Sequence, residues 1–395
     1  MTVDPPALRR VLTLWPLVFY GLGVIVGAGI YVAIGAVIAR AGDAAPLSFL
    51  LAGVAAAATG LCYAELASRF PEAGGAASFV ARGFGSRRLA QLVGAAITLA
   101  TVVSAASIAH GAVQYLGALV PLPAPAMVAA VIVGFTGLAA LGVRAGVGFA
   151  ATIGAVEIAG LVAATAAGLI GAPEFDVATI VPHDGAAWRG MAAGAFIAFF
   201  AFIGFETLAN MAEEVKEPRR TVPRGIVGAV AVSVVLYVAV SLAAVLGGAT
   251  SGAPLLGLFE GRGVALFAAV GFLAVANGVL VEIMMLARLF YGMARNGQLP
   301  AVLARVDART RTPAMATLVV GALALAAALA IPFDRLLVLA DGLTLVVFAL
   351  VDLALWRIKR AGPPPDGAFI VPRWLPPAAA ALSLALIAAE FANAA

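Results

Sequence analysis

Eleven apolar stretches of about 20 residues or more, joined by short loops, leave this chain few folds to choose from. They run approximately over 11–39, 47–68, 88–119, 124–143, 146–171, 187–213, 222–247, 262–294, 313–332, 334–357 and 374–392. A helix needs about 20 apolar residues to cross the hydrocarbon core of a bilayer. Charge agrees with that reading: 11% of residues are Asp, Glu, Lys or Arg, where soluble domains carry about 25%. The expected class is an all-α polytopic membrane protein of about 11 transmembrane helices, with the lipid bilayer as its surroundings. The pI near 9.6 does not signal nucleic acid, because the basic residues are spread over many short loops.

Those loops also give an orientation. Placing the N-terminus in the cytoplasm puts nineteen Lys and Arg residues inside, among them Arg9, Arg10, Arg69, Arg144, Arg295 and Lys359. Only Arg40, Arg189, Arg262 and Arg335 fall outside. The excess follows the positive-inside rule, and one missed span would scramble it. The sole cysteine, Cys62, excludes an intrachain disulfide. Met1 to Arg10 precedes a span too long for a signal-peptide core, so no cleavage is expected.

Two of the spans are built to break. Gly21 to Tyr31 reads GLGVIVGAGIY, four glycines in eleven residues, each costing up to about 1 kcal/mol in a helix against alanine. Irregular backbone at membrane depth is tolerated only inside protein or beside a water-filled cavity. Freed N–H groups there suit a carboxylate. The plainer reading is close helix packing through the Gly23/Gly27 pair. The sixth span carries Gly204 and then Glu206 within an aromatic run of Phe199, Phe200, Phe202 and Phe205. It opens the second set of five spans as the first opens the first set. Interrupted helices in corresponding places of two halves point to an inverted repeat with its site near the midplane. The expected organisation is a single transmembrane domain over 1–395, with repeats 11–171 and 187–357 and an extra helix at 374–392.

Four motifs then resemble one family, the amino acid–polyamine–organocation (APC) transporters, whose fold is of the leucine-transporter type. GLGVIVGAGIYV (21–32) is similar to the family's first-helix signature, and RFPEAGGAASFVARGFG (69–85) to its Pro-x-Ala-Gly-Gly segment. FIGFETLANMAEEVKEPRRTVPRGI (202–226) resembles the sixth helix running into a Glu-Glu-Val-Lys-x-Pro loop, and RLFYGMARNGQLP (288–300) the end of the eighth. The resemblance implies a 5+5 inverted-repeat fold with discontinuous first and sixth helices. It implies a bacterial amino acid permease of the cytoplasmic membrane working by alternating access, neither an enzyme nor in need of a cofactor or metal. Members commonly have twelve helices where eleven are counted here, which leaves the oligomeric state open.

The same resemblance implies a site. The substrate carboxylate would meet backbone N–H groups at Gly27, Ala28 and Gly29, and its ammonium the carbonyls of Ile25, Phe200 and Ile203. Phe200 stands where an aromatic gate is expected, and Phe205 is a candidate for the same path. Thr101, Ser104 and Ser107 recur every third residue and either line the cavity or bond their own helix carbonyls.

Three carboxylates lie deep in spans, Glu157, Glu206 and Glu282. Intramembrane ionisable groups are functional candidates by default, and all three are candidates for proton coupling. Glu157 aligns with a position where some proton-coupled relatives carry a lysine, and Glu206 with a glutamate implicated in proton sensing. Glu282 and Arg288 are about 9 Å apart along one helix at 1.5 Å per residue, so each needs partners elsewhere. The span from Val264 to Met293 holds neither Ser nor Thr, which argues against sodium coupling of the leucine-transporter type. No P-loop or HExxH occurs, which excludes a self-contained ATP-driven pump and an intramembrane zinc protease. Proton-coupled amino acid symport is the first reading; an amino acid or polyamine exchanger or uniporter, a channel and a non-transporting receptor subunit are the alternatives left.

Overall fold

The computed structural model describes residues 10–394 apart from 73–74, 143–146, 171, 173–175, 249–252, 296 and 308. Arg9, Arg144 and the N-terminal segment 1–9 therefore lie outside the described residues, as do Ala73, Gly74 and Asn296 of the family-like motifs. Among the described residues, fourteen α-helices account for the apolar stretches. The first span is two helices, α1 (Leu14–Ile25) and α2 (Gly29–Ala41). A turn at Gly42–Ala44 leads into α3 (Ala45–Arg69). The short α4 (Gly75–Phe84) precedes α5 (Arg87–Leu116), α6 (Ala124–Ala140) and α7 (Val147–Leu169).

The sixth span is again divided. It comprises α8 (Gly185–Ala198), a tight 3-10 turn at Phe199–Phe202 and a single helical turn, α9 (Thr207–Asn210). Then come α10 (Pro218–Leu246), α11 (Arg262–Arg295), α12 (Ala314–Ala330), α13 (Phe333–Ala361) and α14 (Leu375–Ala394). Eight helical stretches among the described residues are long and apolar enough to cross a membrane. One of these, Gly29–Arg69, turns within itself and holds two elements, and the shorter apolar helices α1, α6 and α12 complete the eleven spans.

The divided helices pack directly on the long ones, α1 against α10 and α7, and α8 against α3 and α14. α10 lies against α3, α1 and α7, α11 against α5, and α13 against α5, α14 and α3. The contacts are made by small residues, as is usual where helices meet in lipid: Gly23 abuts Gly154, so the glycine pair of the first span serves packing as well as the break. Short polar ties close the two ends. At one end Glu65 accepts from Arg69 (2.8 and 2.6 Å), Lys359 Nζ (2.6 Å) and the Val371 N–H (2.8 Å), all buried. At the other, Arg40 of α2 pairs with Glu390 of α14 at 2.8 Å.

Candidate functional site

The first break is short. Val26 still donates to the Leu22 carbonyl, and Val32 donates to Ala28. Gly29, Ile30 and Tyr31 thus form the first turn of α2, where N–H groups have no carbonyl of their own helix to bond. Glycine at 29 is required by close approach, not by backbone angle. A Cβ there would stand 2.6 Å from the Ala201 Cα and 2.8 Å from its carbonyl oxygen. Ala28 packs beside Gly278 of α11.

The second break leans on the first. Ile203 is extended (φ −60°, ψ 136°) and Gly204 has φ +127°, a conformation L side chains rarely adopt. Gly204 also faces Val24, whose Cγ1 would be 2.9 Å from an added Cβ. The break supplies its own cap: the Gly204 N–H donates to Glu206 Oε2 (2.8 Å), and Thr207 Oγ1 donates to the Gly204 carbonyl (2.6 Å). The two interruptions are therefore one locus, with Gly29 seated on Ala201 and Gly204 on Val24.

Of the expected residues, Gly27, Ala28, Gly29 and Ile25 lie at the first break, and Phe200, Ile203 and Glu206 at the second. The Ile25 carbonyl accepts from the Tyr237 hydroxyl, and the Phe200 carbonyl from the Ile203 N–H at 3.3 Å. Phe200 is almost fully buried in the 3-10 turn. Phe205 points into packing instead, its ring 5.7 Å from Tyr63 of α3 and 5.2 Å from Phe348 of α13. Thr101 and Ser107 bond the carbonyls of Ile97 and Val103 in their own helix. Ser104 alone crosses to another helix, donating to Glu282 Oε1 at 2.9 Å.

The carboxylates differ in how they are held. Glu157 is fully buried, and among the described residues neither side-chain oxygen has a hydrogen-bond partner. Both oxygens would lie 3.3 Å from a Cβ on Gly27, so the carboxyl flanks the first break. Around it, Tyr31 donates its hydroxyl to the Glu157 main-chain carbonyl (2.9 Å) and Tyr115 to the Tyr31 carbonyl (3.1 Å). Among the described residues Glu282 Oε2 has no partner.

Some residues escaped the sequence reading. Glu65, Asp341 and Asp352 are also buried in spanning helices, so the deep carboxylates number more than three. Asp352 accepts from Thr59 at 3.0 Å, while both oxygens of Asp341 lack partners among the described residues. Tyr237 of α10, which touches both breaks, was the more consequential omission. A tyrosine in an apolar run looks like packing, and the only signal was a hydroxyl that must find a partner when buried.

Comparison with known proteins agrees with this architecture. The amino acid permease family model matches residues 12–394. Cationic amino acid transporter 3, mitochondrial, of Arabidopsis thaliana is 31% identical over 396 residues, 91% of this chain and 64% of the relative. Cationic amino acid transporter 9, chloroplastic, from the same plant is 32% identical over 333 residues, 76% of this chain and 58% of the relative. The methylthioribose transporter of Bacillus subtilis (strain 168) is 31% identical over 400 residues, 93% of this chain and 85% of the relative. The chain thus spans about three fifths of the length of the two plant relatives. With an all-helical membrane fold interrupted in its first and sixth spans, it belongs to the amino acid permease family.

Proposed function

We propose that the protein carries amino acids across the cytoplasmic membrane by alternating access, coupled to protons, with cationic amino acids as its preferred substrates. The observation that carries this reading is the single locus formed by the two breaks, with the unpaired Glu157 carboxyl against Gly27. The first turn of α2 offers N–H groups to a carboxylate, and the carbonyl ends of α1 and of the turn after α8 suit an ammonium. Main chain then reads the amino acid backbone, through Gly27, Ala28 and Gly29 on one side and Ile25, Phe200 and Ile203 on the other. Phe200 closes the site. Two plant relatives bear the name cationic amino acid transporter, and the Glu282 carboxyl, with one oxygen unpartnered among the described residues, gives a cationic side chain more to bind than a neutral one.

Proton coupling follows from like charges. An ionised Glu157 beside Gly27 would repel the substrate carboxylate that the same backbone is to hold, and a protonated Glu157 would not. Proton and amino acid then favour each other's binding by one and the same factor. Glu206 and Glu282 are the other proton candidates, one capping its own break and the other bonded to Ser104. The excess of basic residues on one side supports a cytoplasmic N-terminus.

The test is uptake by purified protein in proteoliposomes with an acid-outside gradient, using labelled lysine with unlabelled arginine, alanine and leucine as competitors. Saturable, gradient-driven lysine uptake that arginine blocks better than leucine is expected. Preferential block by leucine would overturn the cationic preference, and absence of saturable uptake of any amino acid would overturn the carrier.

A further inference from the structure

The Tyr237 hydroxyl stands where both breaks end. Its oxygen is 2.7 Å from the carbonyl of Ile25, the last residue of α1, and 2.9 Å from that of Ala201, in the turn that closes α8. A phenol has one proton to donate, so a single O–H serves two acceptors. Among the described residues no backbone N–H bonds either carbonyl. Both also lie at C-terminal helix ends, where the backbone dipoles present partial negative charge. The cluster is one hydrogen short. The ring itself is fixed: it is fully buried, with its centroid 4.9 Å from Phe202 and 6.1 Å from Phe49.

We propose that Tyr237 stands in for the substrate's ammonium when the carrier is empty, which lets the two breaks stay together without cargo. An ammonium brings three N–H donors. Of the acceptors named above it would take the Ile25 carbonyl, and the Ala201 carbonyl, in the same turn as Phe200, comes within its reach as well. The loaded carrier therefore has little need of the hydroxyl. Among the described residues no other protein donor bonds these two carbonyls. Without the hydroxyl, each return of the empty carrier would close over two buried acceptors with no partner, which costs their full desolvation. Tyr237 is thus a positioning residue for the return step, and it sets whether the protein moves amino acids in net fashion or only swaps them. This inference rests on the alternating-access reading above.

The experiment compares two modes in proteoliposomes of the full chain under one gradient: labelled-lysine exchange against internal lysine, and net lysine uptake into empty vesicles. For Tyr237→Phe, exchange should stay within about twofold of wild type and net uptake should fall at least tenfold, with the lysine KM no higher. Lysine-induced thermal stabilisation of Tyr237→Phe checks that the variant is folded and binds. Replacing Tyr237 by p-aminophenylalanine, which keeps a donor on the same ring, should restore net uptake. A parallel loss of both modes, or no loss in either, with an active wild type would overturn the role of Tyr237. A wild-type protein that neither exchanges nor takes up lysine would overturn the functional reading beneath it, an outcome visible without any variant.

Discussion

Glu65 and Glu157 are both fully buried carboxylates on spanning helices, and the fold treats them in opposite ways. Glu65 accepts from Arg69, Lys359 and the Val371 N–H, which ties α3 to α13 and to the loop that follows it. Glu157 accepts from nothing among the described residues, although it lies beside the glycine-rich break. A carboxylate with its oxygens fully engaged cannot take a proton without releasing its partners. One with none engaged can take a proton and lose no contact. The first is a structural joint and the second is suited to chemistry that must reverse on every cycle. Buried ion pairs are weak evidence for net stability, but removing one member strands the others.

That contrast sets the largest expected effect. Glu65→Ala leaves Arg69 and Lys359 buried without their anion, a loss of about 3–5 kcal/mol. The thermal midpoint in detergent should fall sharply, whereas Glu157→Gln should leave it unchanged or raised. If the two variants melted alike, the division between joint and working group would be wrong.

Next in size is Gly29→Leu. Its Cβ alone would press on the Ala201 backbone, and backbone cannot swing aside as a side chain can. Lysine binding should weaken at least about 100-fold, roughly 2.8 kcal/mol. A monodisperse Gly29→Leu protein with unchanged affinity would show that the site is not made of main chain at this break.

Phe200→Ala should act on release more than on recognition. Its ring is buried at the second break, and groups that close over a ligand set its commitment more than its selection. Lysine should dissociate about tenfold faster, an effect of about 1.4 kcal/mol, in stopped-flow measurements. An unchanged rate would remove Phe200 from the gate.

The two breaks differ in how far the sequence alone reveals them. The first was legible because glycine is costly in a helix and four fall close together. The second showed only Gly204 among phenylalanines, and its position five spans later carried the inference. Spans were legible because lipid demands long apolar helices, and even α6 and α12, with 17 residues each, stand out by composition. Pairings were not legible. Ser104 meets Glu282 across 178 residues and Lys359 meets Glu65 across 294, separations at which no helical periodicity speaks. Phe205 shows the same limit: nothing in an aromatic run says which ring turns to Tyr63 and Phe348 and which stays at the break. Tyr237 joins two carbonyls that lie 212 and 36 residues away, so only the folded chain reveals it.

A third carboxylate marks the bottom of the scale. Asp307 lies in an exposed loop, where N–H groups of Thr310 (2.8 Å) and Arg309 (2.9 Å) hold its carboxyl below the usual carboxylate range. The folded value is depressed, so these bonds persist above the ordinary range and are lost as pH falls through the folded value. Asp307→Asn at neutral pH should speed amide exchange at Arg309 and Thr310 and leave uptake and melting unaltered. A change in transport would mean that this loop takes part in the cycle.

The most direct test of the central claim is concentrative lysine uptake by Glu157→Gln under an acid-outside gradient, measured beside exchange in the same vesicles. Glutamine mimics the protonated carboxyl permanently. The variant should bind and exchange lysine with a flattened pH profile, and it should build no lysine gradient. Gradient-driven accumulation equal to wild type in Glu157→Gln would contradict the assignment and move the proton to Glu206 or Glu282.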